Sequence, residues 1–564
     1  MKTNRREFIT GAAAVTAEAV RAAHRGEARA ASGSRIRVDA ARKTGEWKHN
    51  WAMFGYDEPN YTYTKRGTEL LDKLAALSPS PVFLRTHHLL TTGDGAPSLK
   101  WGSTNAYTED ERGLPVYDWK ILDRIFDSYV ERGLKPLVEI GFMPEALSVN
   151  PKPYRHSWPE GKFETGWAYP PKDYAKWGEL VYQWVRHSIQ RYGRQEAASW
   201  YWECWNEPDI GFWQGTFEEY FRLYDHTAEA VKRALPEARM GGAHSTGPQN
   251  EKGARFLRQF LEHVAAGKNA VTGRRGAPLD YIGFHTKGRP GIVDGHIRMN
   301  MQRQFVRVQR AMTIIRDFPE LRKLPIIIGE CDPDGTAARS ALVEPANAYR
   351  NGPQYAAYNA SIYSKLNALA GRNELRLDGI LAWAFQFEDQ PLFAGFRTLS
   401  TNGIDKPILN FYRMLGLMRG HRVDAWSTSS VALDEVLRTG VRGQPDIDAV
   451  AVAADRQLTA LVWHYHDDDL PAAAAPVDLS VEGLTADRVN VEHFHIGDSH
   501  SNAFSKLSGM GSPSDPSEAQ WAQLRAAGQL KLLRSPEWRN TKDGRLAYRF
   551  VLPRNEVSLF RLTW

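Results

Sequence analysis

From about residue 45 to residue 420, short apolar runs alternate with stretches in which apolar side chains recur every three or four positions. The runs predict strands at Trp51–Tyr56, Pro81–His87, Pro136–Phe142, Ser199–Trp205, Ala238–Ala243, Tyr281–His285, Pro325–Gly329 and Gly379–Phe385. The stretches between them predict helices at Gly67–Leu77, Trp119–Arg132, Tyr174–Tyr192, Glu218–Leu235, Phe256–Ala266, Met299–Phe318 and Ala346–Leu369, with Pro407–Leu417 as an eighth. Such alternation signals parallel strands joined by crossover helices. Eight of each in order predict an α/β fold, a (β/α)8 TIM barrel, whose functional groups sit where strands end and loops begin. An open doubly wound sheet fits less well, because no Gly-rich phosphate loop follows the first strand.

Past residue 420 the helical periodicity fades. Ala449–Ala453, Leu458–Tyr465, Leu546–Leu552 and Val557–Leu562 read as strands. They predict a β-sandwich at 421–564 appended to a barrel at 45–420. The segment 31–44, with Ser34–Asp39 too far upstream to open the barrel, is expected to join that sandwich. No internal repeats appear, and Ala472–Ala475 is the one low-complexity patch.

Composition narrows the functional classes. The net charge of +6 is spread along the chain with no long basic run, which argues against nucleic-acid binding. No stretch approaches the roughly 18 apolar residues of a membrane span, so no membrane anchor is expected. Thr3-Asn4-Arg5-Arg6-Glu7-Phe8-Ile9, followed by the small residues Gly11 to Ala17, resembles a twin-arginine export signal. With Ala28-Arg29-Ala30 as a cleavage site, residues 1–30 are expected to be a signal peptide of a periplasmic or secreted protein. The two cysteines, Cys204 and Cys331, supply neither a disulfide framework nor metal-binding spacing. The 18 Trp, 22 Tyr and 23 Phe are an ample aromatic supply, first for the core and then for the apolar face of a pyranose. A homo-oligomer is left open.

The strongest local signal is Trp200-Tyr201-Trp202-Glu203-Cys204-Trp205-Asn206-Glu207-Pro208, because Asn206-Glu207 falls where the fourth strand ends. A carboxylic acid there can protonate the leaving oxygen of a glycoside, and the adjacent amide can hydrogen-bond the sugar 2-hydroxyl. The partner carboxylate comes from Leu324-Pro325-Ile326-Ile327-Ile328-Gly329-Glu330, a fully apolar seventh strand ending in a charge. At a carboxyl separation of about 5–5.5 Å, such a pair retains anomeric configuration through a covalent glycosyl-enzyme.

This pattern resembles glycoside hydrolase family 39, the bacterial β-xylosidases and α-L-iduronidases. Gly55-Tyr56-Asp57-Glu58-Pro59-Asn60-Tyr61, Phe83-Leu84-Arg85-Thr86-His87 and Asp280-Tyr281-Ile282-Gly283-Phe284-His285 look like that family's first, second and sixth strand ends. His500-Ser501-Asn502-Ala503-Phe504 and Met510-Gly511-Ser512-Pro513 resemble its C-terminal segment. The resemblance implies Glu207 as acid/base, Glu330 as nucleophile and Trp383 as an aromatic platform under the sugar.

The two branches of that family differ at C5 of the sugar, where iduronate carries a carboxylate and xylose nothing. A uronate pocket wants fixed cations. Lys287, in Thr286-Lys287-Gly288, stands where many xylosidases have an aromatic residue, and Arg397 lies in the iduronidase-like Arg397-Thr398-Leu399. Gly403-Ile404-Asp405-Lys406-Pro407 and the sandwich look like the xylosidases, so a uronic acid leads narrowly over xylose. Arg85 and His87 are candidates to bind hydroxyls or orient Glu330. His285 is a candidate sugar contact and Asp389 a hydroxyl acceptor. No cofactor or metal is expected; the partner is an oligo- or polysaccharide substrate. A non-catalytic carbohydrate-binding barrel is the alternative of another class, disfavoured because both carboxylates are present.

Overall fold

The computed structural model describes residues 33–156 and 163–564. The leader, with Arg5, Arg6 and Ala30, lies outside the described residues.

Eight parallel strands form one sheet: Met53–Tyr56, Phe83–Thr86, Lys135–Glu139, Tyr201–Glu203, Arg239–Ser245, Tyr281–Lys287, Pro325–Asp332 and Arg376–Ile380. Each lies beside its neighbour in sequence. The outer two meet across the seam, where Gly55 N–H donates to Ala382 O and Ala382 N–H donates to Met53 O. The last strand starts three residues earlier than its apolar pattern, because Arg376 and Asp378 form a 2.6 Å ion pair at its foot and disguise it as a polar loop.

Alternate side chains point into the barrel, where Met53, Leu137, Tyr201, Tyr281, Ile327, Leu381 and Trp383 form a buried cluster. Gly55 leaves room for it: a Cβ there would lie 2.4 Å from the Trp383 ring. The helices Tyr174–Tyr192 and Pro407–Leu417 match their periodicity end to end. Phe217–Ala234 starts on a capping box in which Thr216 and Glu219 satisfy each other's backbone N–H groups, fixing the helix that follows the fourth strand.

The C-terminal region is a mixed ten-stranded sheet. Its core contains Ala449, Leu458, Leu546 and Leu562 from the expected strands, with Leu479 of Ala475–Glu482 and Val491 of Arg488–Ile496. Ser34–Glu46 pairs antiparallel with His421–Ser427 and parallel with Ala475–Glu482. The chain is thus threaded through this sheet before it enters the barrel. Two short helices, Ala503–Gly509 and Glu518–Ala527, leave the sheet and pack on Phe393 and Ile404 beside the last barrel loop.

A buried polar knot ties barrel to sheet. Asp446 accepts from Lys365 Nζ (3.0 Å), Ser361 Oγ (2.7 Å) and Trp463 Nε1 (2.8 Å). Asp446→Ala is expected to cost about 3–5 kcal/mol, because it leaves the Lys365 ammonium buried without its counter-charge. Chemical denaturation reads the loss, and an unchanged midpoint would show the knot to be dispensable.

Candidate active site

All eight strands deliver polar side chains to the C-terminal end of the barrel or to the loop just beyond it. The hub is Arg85 on the second strand, fully buried. Its Nε donates to Glu203 Oε1 at 2.7 Å, Nη1 to Glu330 Oε1 at 3.0 Å and Nη2 to Asn206 Oδ1 at 3.0 Å. His87, two residues on, bridges Asp57 Oδ1 (2.9 Å) and Glu139 Oε2 (3.2 Å), with Glu330 Oε1 at 3.5 Å. Burial alone would lower the His87 pKa, but Glu139, Asp57 and Glu330 push it up to about 9.

Strand register sets the rest. His285 pairs with Glu330 and Lys287 with Asp332 across the sixth and seventh strands, in register past an irregularity at Phe284/His285. Lys287 Nζ lies 2.6 Å from Glu330 Oε2 and 2.5 Å from Asp332 Oδ2. His285 Nδ1 lies 3.0 Å from Glu207 Oε1 and 3.7 Å from Glu330 Oε1. One oxygen of Glu207, one of Glu330 and a His285 nitrogen all lie within 4.8 Å of one another. Glycine makes room behind them: a Cβ on Gly329 would lie 2.2 Å from His244 Nδ1.

Glu207 is held in a left-handed conformation, φ 44°, with its N–H donating to His244 O at 2.9 Å. A non-glycine residue there stores backbone strain that its surroundings must hold.

The two carboxyls are driven apart electrostatically. Burial and then the charge of Glu330 raise Glu207 to about 7, against Lys287, His87 and Arg85. Burial also pushes Glu330 up, but Lys287, a hydrogen bond from His87, and Arg85 hold it well below the usual carboxylate range. Burial keeps His285 well below its ordinary value, with Glu330 opposing and Arg85 assisting, so the ring between the two glutamates is neutral. Below about pH 7 the cleft therefore holds a protonated carboxyl and a carboxylate across from each other. That arrangement can give a proton to one face of a bond and attack the other.

The four remaining predicted residues take four different positions. Asn206 joins the hub through Arg85. Trp383 lies inside the barrel, 4.3 Å ring to ring from His87 and with the Arg85 guanidinium 5.0 Å from its centre; its Nε1 donates to Asp57 Oδ2 at 3.3 Å. Arg397 is buried behind the cleft: Nε donates to Trp383 O at 3.0 Å and Nη1 to Asp334, while Nη2 is 3.5 Å from Asp332. Asp389 is exposed on its loop and shares no hydrogen bond or ion pair with the others among the described residues.

Glu139, Glu203, His244, Asp57, Lys100, Asp332 and Asp334 also belong to this constellation. Glu139 and Glu203 carry the signal that marks Glu330, a charge at the end of an apolar strand. Asp332 follows Glu330 at strand spacing, on the same face. Lys100, 2.7 Å from Asp57 Oδ2, comes from a long loop and leaves no such trace. Among the described residues, Glu207, His285 and Glu330, and likewise Asp57, His87 and His88, have donor atoms close enough for a cation. In each group an ammonium, of Lys287 or Lys100, already stands beside a carboxylate.

The model for glycosyl hydrolases family 39 matches residues 34–545. A β-xylosidase of Caldicellulosiruptor saccharolyticus is 27% identical over 464 residues, covering 80% of this chain and 84% of that protein. An α-L-iduronidase of Mus musculus is 26% identical over 374 residues, covering 62% and 56%. In fold, the chain is similar to the crystal structure of the GH39 enzyme from Xanthomonas axonopodis pv. citri, with TM-score 0.75, 23% identity and coverage of 96% and 99%.

A titration of selectively labelled glutamate carboxyls should place Glu207 near pH 7. In Glu330→Gln the midpoint should fall, because a negative neighbour is removed, without reaching the ordinary value of about 4.3, because burial remains. A midpoint unmoved by that substitution would contradict the coupling.

Proposed function

This chain belongs to glycosyl hydrolases family 39 and is a glycosidase, and from that premise we propose that it is retaining and exo-acting, with Glu330 as nucleophile and Glu207 as acid/base. The observation that carries this reading is the close, oppositely protonated pair, with carboxylate oxygens within 4.8 Å of each other. Such closeness suits direct attack better than it suits an inverting pair, whose carboxyls stand about 6.5–9.5 Å apart.

In the first step a Glu330 oxygen attacks C1 of the terminal sugar as the glycosidic bond breaks. Glu207 gives its proton to the departing oxygen, leaving a glycosyl ester on Glu330. Esterification removes the Glu330 charge that raised Glu207, so Glu207 now holds a proton less tightly and persists as a carboxylate. In the second step it takes a proton from water, whose oxygen attacks C1, and Glu330 leaves as a carboxylate. Both residues end as they began.

Exo action is taken from the family match, and an aromatic cluster stands where loops after the second and third strands meet. There Trp101 packs 6.0 Å from His88 and 6.4 Å from Trp167. For the glycone we propose a pyranose with a C5 carboxylate, on the strength of Lys287 at the cleft and Arg397 behind it. A plain β-xyloside is the second reading. It is favoured by the carboxylates already matched to those cations, Asp332 and Asp334, and by the longer match to the named β-xylosidase.

Glu330→Ala is expected to lose at least about four orders of magnitude in kcat, and azide should restore turnover with release of an inverted glycosyl azide. Wild-type rates in that variant would overturn the assignment. Hydrolysis of p-nitrophenyl β-xyloside and of an α-iduronide, by wild type and by Lys287→Ala and Arg397→Ala, separates the two glycones. A uronide turnover that falls at least about tenfold further than that of the xyloside supports the acidic sugar; turnover of the xyloside alone by the wild type supports xylose.

A further inference from the structure

At the opposite end of the barrel, at the feet of the strands, two of the cavities adjoin, and no step of the reaction uses them. The first, of about 310 Å³, lies between Thr44–Trp51, the helices Gln354–Arg372 and Pro407–Leu417, and the second sheet. It is within the size range of small-molecule sites, about 300–1,000 Å³. Its wall offers the half-buried Trp47 indole, the Ser364 hydroxyl and the Arg422 guanidinium, while the Asn50 and Asn367 amides are bonded to each other.

Arg422 is the informative member. It is half-buried on the inner end of His421–Ser427, and its guanidinium has neither a hydrogen bond nor an ion pair among the described residues. Burial lowers its pKa, with the charge of Asp448 opposing. A partly desolvated guanidinium without a partner is costly, and a carboxylate accepting two of its N–H groups would relieve that cost. The buried indole N–H groups of Trp47 and Trp51 in the same wall also lack acceptors.

The second cavity, of about 280 Å³, is lined by Arg316, Arg322, Lys323 and Arg376 with Asn373 and Glu374. Arg376 is paired with Asp378 at 2.6 Å, and Arg316 reaches only Asn373, at 3.5 Å. Arg322 and Lys323 have no ion-pair partner among the described residues. The two cavities adjoin along the chain: Leu375, in the wall of the first, stands between Glu374 and Arg376 of the second. Glu46, at the first, and Glu374 and Asp378, at the second, do not offset the surrounding cations.

We propose that these cavities form a secondary binding tract for an acidic glycan, a chain bearing sugar carboxylates, distinct from the catalytic mouth. Arg422, Arg322, Lys323 and Arg316 take the carboxylates, and Trp47 covers the apolar face of one sugar. The choice of a glycan over another polyanion rests on the glycosidase reading and on that indole beside the cations. Binding there holds the enzyme on an acidic polysaccharide while the mouth stays free for chain ends.

Native electrophoresis of the full chain through gels containing polygalacturonate, neutral dextran or nucleic acid tests this. Wild type should be retarded by polygalacturonate, with salt-sensitive affinity, and not by dextran. The double variant Arg322→Glu/Lys323→Glu should bind at least about tenfold more weakly, and Arg422→Ala and Trp47→Phe should each show partial loss. Aryl-glycoside hydrolysis should stay at the wild-type rate in all of them. Equal retardation of wild type and variants would overturn the tract. Equal retardation by nucleic acid would reduce it to plain cation exchange and overturn the glycan assignment. Absent hydrolysis with variant-sensitive retardation would sink the glycosidase mechanism alone.

Discussion

A guanidinium sealed inside a protein must have its charge matched and its donors used, and Arg85 meets that demand by gathering three strand ends. Glu203 and Asn206 come from the fourth strand and its loop, and Glu330 from the seventh. Arg is suited to this task because its planar fork sets the direction of each bond. A lysine could match the charge without fixing the angle between Glu330 and Asn206. The arrangement depends on strand order, since only a closed barrel brings the second, fourth and seventh strand ends to one point.

Once Arg85 is placed, the asymmetry of the two central carboxyls follows. Glu330 receives Arg85 on one oxygen and Lys287 on the other, so its charge is matched on both sides. Among the described residues, Glu207 receives no direct cation, only the neutral His285, and faces the charge of Glu330. Two carboxyls in one buried cleft thus separate into an acid and an anion through the side on which the cations lie. The same field keeps Glu139, buried below them, at about 8: burial dominates over His87 and Arg85, assisted by Glu203 and Glu330.

The fold is legible in the sequence wherever burial imposes a period. Tyr174–Tyr192 can be read to the residue because one face is apolar and Asp173 caps its start, and Pro407–Leu417 because it is apolar nearly all round and opens on a proline. Arg376–Ile380 is not, because a surface ion pair breaks its pattern. Ala475–Glu482 and Arg488–Ile496 alternate as edge-facing strands do, but their polar half hides them beside stronger runs. In the site, Glu207 and Glu330 are legible because a charge at the end of a buried strand has no packing reason to be there. Residues that act on those two from behind are harder. Arg397 reads as a cation of the sugar pocket, yet it is buried against Asp334, whose pairing cannot be inferred before the loops are folded. Asp389, next to similar residues in sequence, is turned out to solvent.

The open question of the sugar has a structural form. Arg397 is held at Nε by Trp383 O and at Nη1 by Asp334, so it is a fixed source of potential and a poor moving ligand. Lys287 has a flexible stem and bridges Glu330 and Asp332, the proposed nucleophile and a carboxylate of the layer behind. A glycone carboxylate reaching Lys287 would draw it toward the cleft and weaken its hold on Asp332 before its hold on Glu330, because Glu330 lies on the cleft side. An uncharged glycone would leave the bridge intact. Substrate choice and nucleophile charge are then coupled through one ammonium, and a substitution at Lys287 that acted only on sugar preference would be incompatible with this geometry.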